Sequence, residues 1–130
     1  MPGLGLTQTP EFEVLATYSA PEQVVPAVAA TPGWYVVGAF RMPIAAEVKA
    51  EVYGSVSDAS LTMRGRLFCI TPGSVGPVSG STATITSTTD VRALSGLFTL
   101  PAGDFQMQIE VTGDEGEELF GSLKNMTVIS

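Results

Sequence analysis

The stretch "IAAEVKAEVYGSVS", residues 44 to 57, constrains the fold more than any other part of the chain. Ile44, Ala46, Val48, Ala50, Val52 and Val56 occur at alternate positions, with Gly54 in the same register. Glu47, Lys49, Glu51, Tyr53 and Ser55 fill the positions between. Successive side chains of a strand point to opposite faces, so this pattern gives one apolar and one wet face. A helix would scatter the same residues around its axis. The outward Glu-Lys-Glu row reads as a solvated face, or as an edge guarded by charge.

The same period recurs along the chain. "EFEVLATY" places Phe12, Val14 and Ala16 together, and "WYVVGAFRM" reads as a strand beginning at Trp34. "SLTMRGRLFCIT" sets Leu61, Met63, Leu67 and Cys69 against Arg64 and Arg66. "DFQMQIEVT" sends Phe105, Met107, Ile109 and Val111 inward and Gln106, Gln108 and Glu110 outward. "VRALSGLFTL" gathers Leu94, Phe98 and Leu100 on one side. In "ELFGSLKNMTVIS" the apolar phase slips between Leu123 and Met126, which predicts a bulge near Asn125. "STATITSTTD", residues 81 to 90, reads as an exposed, uncharged strand after a Pro- and Gly-rich loop. Pro21, Pro26 and Pro32 make residues 19 to 33 a long surface connection. The expectation is an all-β, two-sheet antiparallel sandwich of about eight strands, a jelly roll in preference to an immunoglobulin-like fold.

Residues 11 to 130 read as one domain, long enough for a core without staples. Residues 1 to 10 read as a flexible arm, broken by Pro2, Gly3, Gly5 and Pro10. Leu4 and Leu6 have nothing local to pack on, so they are candidate anchors on a partner. An apolar fraction of 45% with 15% charged residues excludes disorder. No apolar run approaches the ~20 residues of a membrane-spanning helix, and no basic, apolar leader opens the chain.

Composition removes several chemistries. The chain has no histidine, so Ser–His, Cys–His and histidine–zinc sites are excluded. Cys69 is the single cysteine and lies in an apolar run, where a buried, inert thiol is expected. The net charge is −7, and Arg41, Lys49, Arg64, Arg66, Arg92 and Lys124 are dispersed. No basic cluster exists to neutralise phosphates, which argues against nucleic acid as a partner.

The acids are less evenly spread. Asp114, Glu115, Glu117 and Glu118 crowd "GDEGEE" between two strands. Calcium needs several oxygens converging on one point. The stretch lacks the alternating Asp spacing that aims carboxylates so, and it reads as a wet turn with no metal or cofactor. Paired carboxylates could cleave a glycoside, but that needs a cleft and sugar platforms. A Ser–Lys pair from Lys49 or Lys124 has no supporting motif. A carbohydrate-binding module is the other alternative, with Trp34, Tyr35 and Tyr53 as the stacking candidates. Trp34, the single tryptophan, suits a core plug or a rim platform, and a core position is favoured.

The closing strand pair, "LPAGDFQMQIEVTG…GSLKNMTVIS", resembles that of small jelly-roll decoration proteins on tailed-phage particles. The resemblance covers roughly residues 95 to 130. It implies a non-enzymatic cement protein, made in the host cytoplasm and placed on the virion surface as a homotrimer. Its partner would be the major capsid protein, and the arm with Leu4 and Leu6 would lie against that protein or a sister subunit. A receptor-binding tail or fibre module is the alternative of the same composition.

Overall fold

The computed structural model describes residues 18–20, 22–26, 33–113 and 119–129. Leu4, Leu6, Phe12, Val14 and Asp114 to Glu118 lie outside them. The described residues form eleven strand segments and no helix. The first two, β1 (Tyr18–Ala20) and β2 (Gln23–Pro26), are short. Longer strands follow: β3 (Tyr35–Met42), β4 (Ala46–Val56) and β5 (Thr62–Cys69). Next come β6 (Gly76–Pro77), β7 (Ala83–Ile85), β8 (Val91–Leu94) and β9 (Phe98–Leu100). The chain closes with β10 (Gly103–Thr112) and β11 (Phe120–Ile129).

These segments occupy eight strand positions, because β1–β2, β6–β7 and β8–β9 are each one interrupted strand. The pairing is nested. β5 pairs with β6 and β7, β4 with β8 and β9, β3 with β10, and β1 and β2 with β11, all antiparallel. The chain is thus a long ribbon turned back on itself after Cys69. The ribbon is then rolled so that β11 meets β4 and β10 meets β5. That yields a six-stranded sheet built on β11 and β4 and a five-stranded sheet built on β10 and β5. Two Greek keys wound this way are a jelly roll.

The core is the alternation made solid. Val48, Ala50, Val52 and Val56 of β4, with Leu123 and Met126 of β11 beside them, face Met63, Leu67, Met107 and Ile109 of the other sheet, each no more than 2% exposed. Phe40 and Phe105 stack with ring centroids 5.6 Å apart, which contributes about 0.5–1.5 kcal/mol beyond burial. Gly54 and Gly121 lie where the packing is closest. A Cβ at Gly54 would come within 2.2 Å of the Ser122 carbonyl, and one at Gly121 within 2.7 Å of Val111. The bulge near Asn125 is present: β11 shifts register against β4 between Leu123 and Asn125.

Four expectations need correction. Residues 19 to 33 include most of β1 and all of β2, which line the outer side of β11. Pro26 is tolerated in β2 because an edge strand has one side free of ladder bonds. Ala83 and Ile85 of β7 are buried, so the Ser/Thr-rich stretch is half core. Leu94 is 55% exposed, because the break at Ser95 puts it out of phase with Leu100. Ile44 precedes β4 in a turn and is 65% exposed.

Candidate functional site

The outer face of the five-stranded sheet carries the most concentrated polar chemistry among the described residues. Its rows follow from register. Phe68 lies beside Gln106 and Ala39, Arg66 beside Gln108 and Val36, and Arg64 beside Glu110. Alternation in β5 and β10 sends these side chains away from the core that Leu67, Met107 and Ile109 fill.

Trp34 joins this face through a bulge. β3 shifts register against β10 at Met107 and Gln108, with Val37 as the extra residue between Gly38 and Val36. Strict alternation from Phe40 would carry Val36 and Trp34 to the core side. The added residue reverses the phase, so Tyr35 packs against the core and Val36 is half exposed. Trp34 is partly exposed, and the Arg66 guanidinium carbon lies 3.9 Å from its ring centroid. The core position favoured from sequence is therefore corrected, for want of any sequence sign of this bulge.

The polar groups of the face form a directed relay. Arg66 Nε donates to Gln108 Oε1 at 2.8 Å, and Gln108 Nε2 donates to Gln106 Oε1 at 3.1 Å. Gln108 is 7% exposed, so its amide is held rather than free to rotate. Arg66 also approaches the Phe68 ring at 5.3 Å. Burial against these neighbours lowers the Arg66 pKa, opposed by the nearby Glu110 charge, yet a guanidinium stays protonated. Glu110 is 3% exposed and pairs with Arg64, whose Nε is buried without a partner.

The other candidates are scattered. Tyr53 lies on the outer face of the opposite sheet, with Arg92 4.5 Å from its ring centroid and Arg92 bonded to Glu51. Trp34, Tyr35 and Tyr53 therefore do not converge. Cys69 is buried in the core. No cavity opens among the described residues, and no three of their His, Cys, Asp or Glu side chains gather as a metal site.

The two ends of the sandwich differ. At one end Ile70 N donates to the Asp104 carbonyl, Asp104 N to Thr71 Oγ1, and Gly103 pairs with Met42. The turns at 43–45, 70–75 and 101–102 meet there, exposing Ile44, Ile70 and Val75. Tyr18 pairs with Val128 one position from Ile129, so the segment before Tyr18 joins the sandwich at this end. The opposite end carries Asp58, Asp90 and Phe120, which is 37% exposed where β11 begins beside Ser57.

Two serines to which the sequence pattern assigns no role, Ser81 and Ser95, are buried and structural. Ser81 Oγ accepts from Leu67 N at 3.0 Å, and Ser95 Oγ accepts from Ala50 N at 2.9 Å. Each stands in the gap between two halves of an interrupted strand. A single serine among Gly, Thr and Pro gives no signal of this.

No protein-family model and no curated protein matches the sequence. Solved structures do. A chain of infectious bursal disease virus, Gx strain, superposes with a TM-score of 0.54 at 10% identity, over 87% of this chain and 31% of that one. The Gt strain gives 0.55 at 10% identity, over 87% and 32%. Eiger TNF from S. frugiperda gives 0.40 at 9% identity, over 87% and 93%. This chain thus spans about a third of the viral chains it matches, and what it shares with them is the fold.

Proposed function

We propose that this chain is a non-enzymatic structural protein of a virus particle, a capsid decoration or cement protein that stabilises the phage head by binding the major capsid protein. The observation that carries this reading is the rolled two-Greek-key sandwich, a filled domain that superposes on chains from two virus structures. The polarity of the sandwich supports an orientation. The end with Ile44, Ile70 and Val75, where the segment before Tyr18 joins, would face the shell. The end with Asp58 and Asp90, and with the acidic stretch, would face solvent. Leu4 and Leu6 would extend the contact, and a homotrimer would add avidity at many lattice points. Binding only the assembled shell stabilises it by linkage.

The test is co-sedimentation with purified shells, followed by thermal melting of the shells. Deleting residues 1 to 9 is expected to leave the unfolding midpoint of the domain unchanged and to weaken attachment. Ile44→Asp is expected to weaken it as well, since a charge would enter an apolar contact. Lost folding with retained attachment would reject the role given to the arm. Light scattering is expected to give three times 13.5 kDa.

A further inference from the structure

One side of the sandwich is almost free of charge. From Leu67 to Gly103 the chain holds two charged residues, Asp90 and Arg92, which cancel. The rest of the chain therefore carries the whole net charge of −7. The uncharged stretch supplies β6 and β7, at one edge of the five-stranded sheet, and β8 and β9, at one edge of the six-stranded sheet. The two edges meet. β7 lies against β8, and a Cβ at Gly80 would come within 3.3 Å of the Phe98 Cβ. The opposite side, formed by β1, β2 and β3, exposes Glu22 and Arg41.

Both edges of the uncharged side are open. β7 has β5 as its partner strand and β8 has β4, and no other described strand pairs with them. Open edges are ordinarily guarded by lysine, proline or a charge turned inward. β7 and β8 contain no lysine and no proline, and their one charge, Arg92, is drawn back over the Tyr53 ring and onto Glu51. Val91, Leu94 and Leu97 stand exposed along this edge instead. An apolar, unguarded edge marks a contact surface.

The charge pattern selects the occupant. In a ring of identical subunits each residue near the axis meets its own copies, so a net charge on the axial side repels itself. A foreign partner drawn to an acidic chain has no need of an uncharged side. We propose that this side is the contact between copies of the chain. Three copies stand with β6 to β9 toward a threefold axis, and Leu94 and Leu97 pack there against the neighbouring copies. This contact rests on the homotrimer reading and supplies the surface which that reading lacks. β8 begins opposite Gly54 and β9 ends opposite Ala46, so an axis along these strands runs from the Asp58 end to the Ile44 end. All three copies then present Ile44, Ile70 and Val75 in one direction, as attachment to a shell requires.

The test measures mass by light scattering for the full chain and its variants, with folding followed by circular dichroism. At about 10 μM the native chain is expected at three times 13.5 kDa. Leu94→Glu and Leu97→Glu set like charges around the axis and are each expected at 13.5 kDa, folded. Val24→Glu makes a similar exchange on the opposite side, at 62% exposure against 59% for Leu97, and is expected to stay trimeric. Cysteine variants decide the matter if the glutamate variants fail to fold. Cys69 is buried, so Leu97→Cys adds the one accessible thiol. A short bis-maleimide is expected to join two copies of Leu97→Cys and none of Val24→Cys. A native chain that stays at 13.5 kDa up to about 1 mM would overturn the proposal. So would a folded, trimeric Leu97→Glu, or Val24→Cys cross-linking as readily as Leu97→Cys. A native monomer that still co-sediments with shells would reject this contact and keep the capsid reading. A trimer that Leu97→Glu dissociates, but that ignores shells, would do the reverse.

Discussion

At the residue scale, the buried polar groups decide more than the exposed charges. Ser81 and Ser95 each supply an oxygen where a neighbouring strand fails to supply a carbonyl. An orphaned backbone donor in the core costs about 1–3 kcal/mol, so Ser81→Ala and Ser95→Ala should each destabilise by that amount in urea unfolding. A loss below about 0.5 kcal/mol at either site would remove the role assigned here. The Arg64–Glu110 pair should be asymmetric. Removing Arg64 strands a carboxylate whose side chain is 4% exposed, whereas removing Glu110 leaves a guanidinium side chain 41% exposed that can turn to water. Arg64→Ala should therefore cost about 2–3 kcal/mol and Glu110→Ala about 1 kcal/mol. Equal costs would mean that solvent reaches both partners alike. The exposed pairs Arg92–Glu51 and Lys124–Glu22 should matter little, because water and side-chain entropy offset their attraction.

At the element scale, interruptions are as informative as strands. The bulge at Val37 turns Trp34 outward and so creates the Trp34–Arg66 stack. Deleting Val37 should close the ladder with Gly38, Val36 and Tyr35 still opposite Met107, Gln108 and Ile109, so Trp34 stays outward. The loss of the buried Val37 side chain should cost about 1.5–3 kcal/mol, with the Trp34 emission maximum unchanged. An emission maximum moved to shorter wavelength would show that the ladder had closed in another register. β1 and β2 teach a related lesson. Pro26 argues against a central strand, and the structure holds it at the end of β2, where only one side needs ladder bonds.

At the scale of the whole molecule, the charge inventory sets the response to pH. Arg41 Nε donates to Asp104 Oδ1 at 2.8 Å, and this bond lowers the Asp104 pKa below its ordinary 3.8. The backbone N–H of Ser60 does the same for Asp58. A carboxylate with a depressed folded pKa adds stability that is full above the unfolded value and lost as pH falls through the folded one. Stability should therefore fall only below about pH 4, and it should be nearly flat from about pH 5.5 to 8 because no histidine is present to titrate there. Asp104→Asn should shallow the acid limb of an unfolding-midpoint profile while leaving the neutral plateau level. A slope across the neutral range would point to a coupled group elsewhere.

The sequence by itself determined the long strands β4, β5, β10 and β11 with their core faces, and the side-chain chemistries the chain lacks. Period two is a local property, and Val48, Val52, Met63, Leu67, Phe105 and Ile109 are buried as alternation requires. The slip at Asn125 was legible for the same reason, since a phase change shows in the residues themselves. Tertiary structure alone decided the nested pairing that makes the sandwich a jelly roll, because many strand orders bury the same faces. It also decided Trp34, whose phase depends on a bulge opposite Met107 and Gln108. The candidate site was half visible, as Arg66, Gln106 and Gln108 were readable as outward residues of their strands. Their union into one directed relay required β5 and β10 to lie side by side, with Arg66 and Gln108 in register. Contacts between residues 42 positions apart carry no trace in local pattern, and they exist only once the chain has rolled.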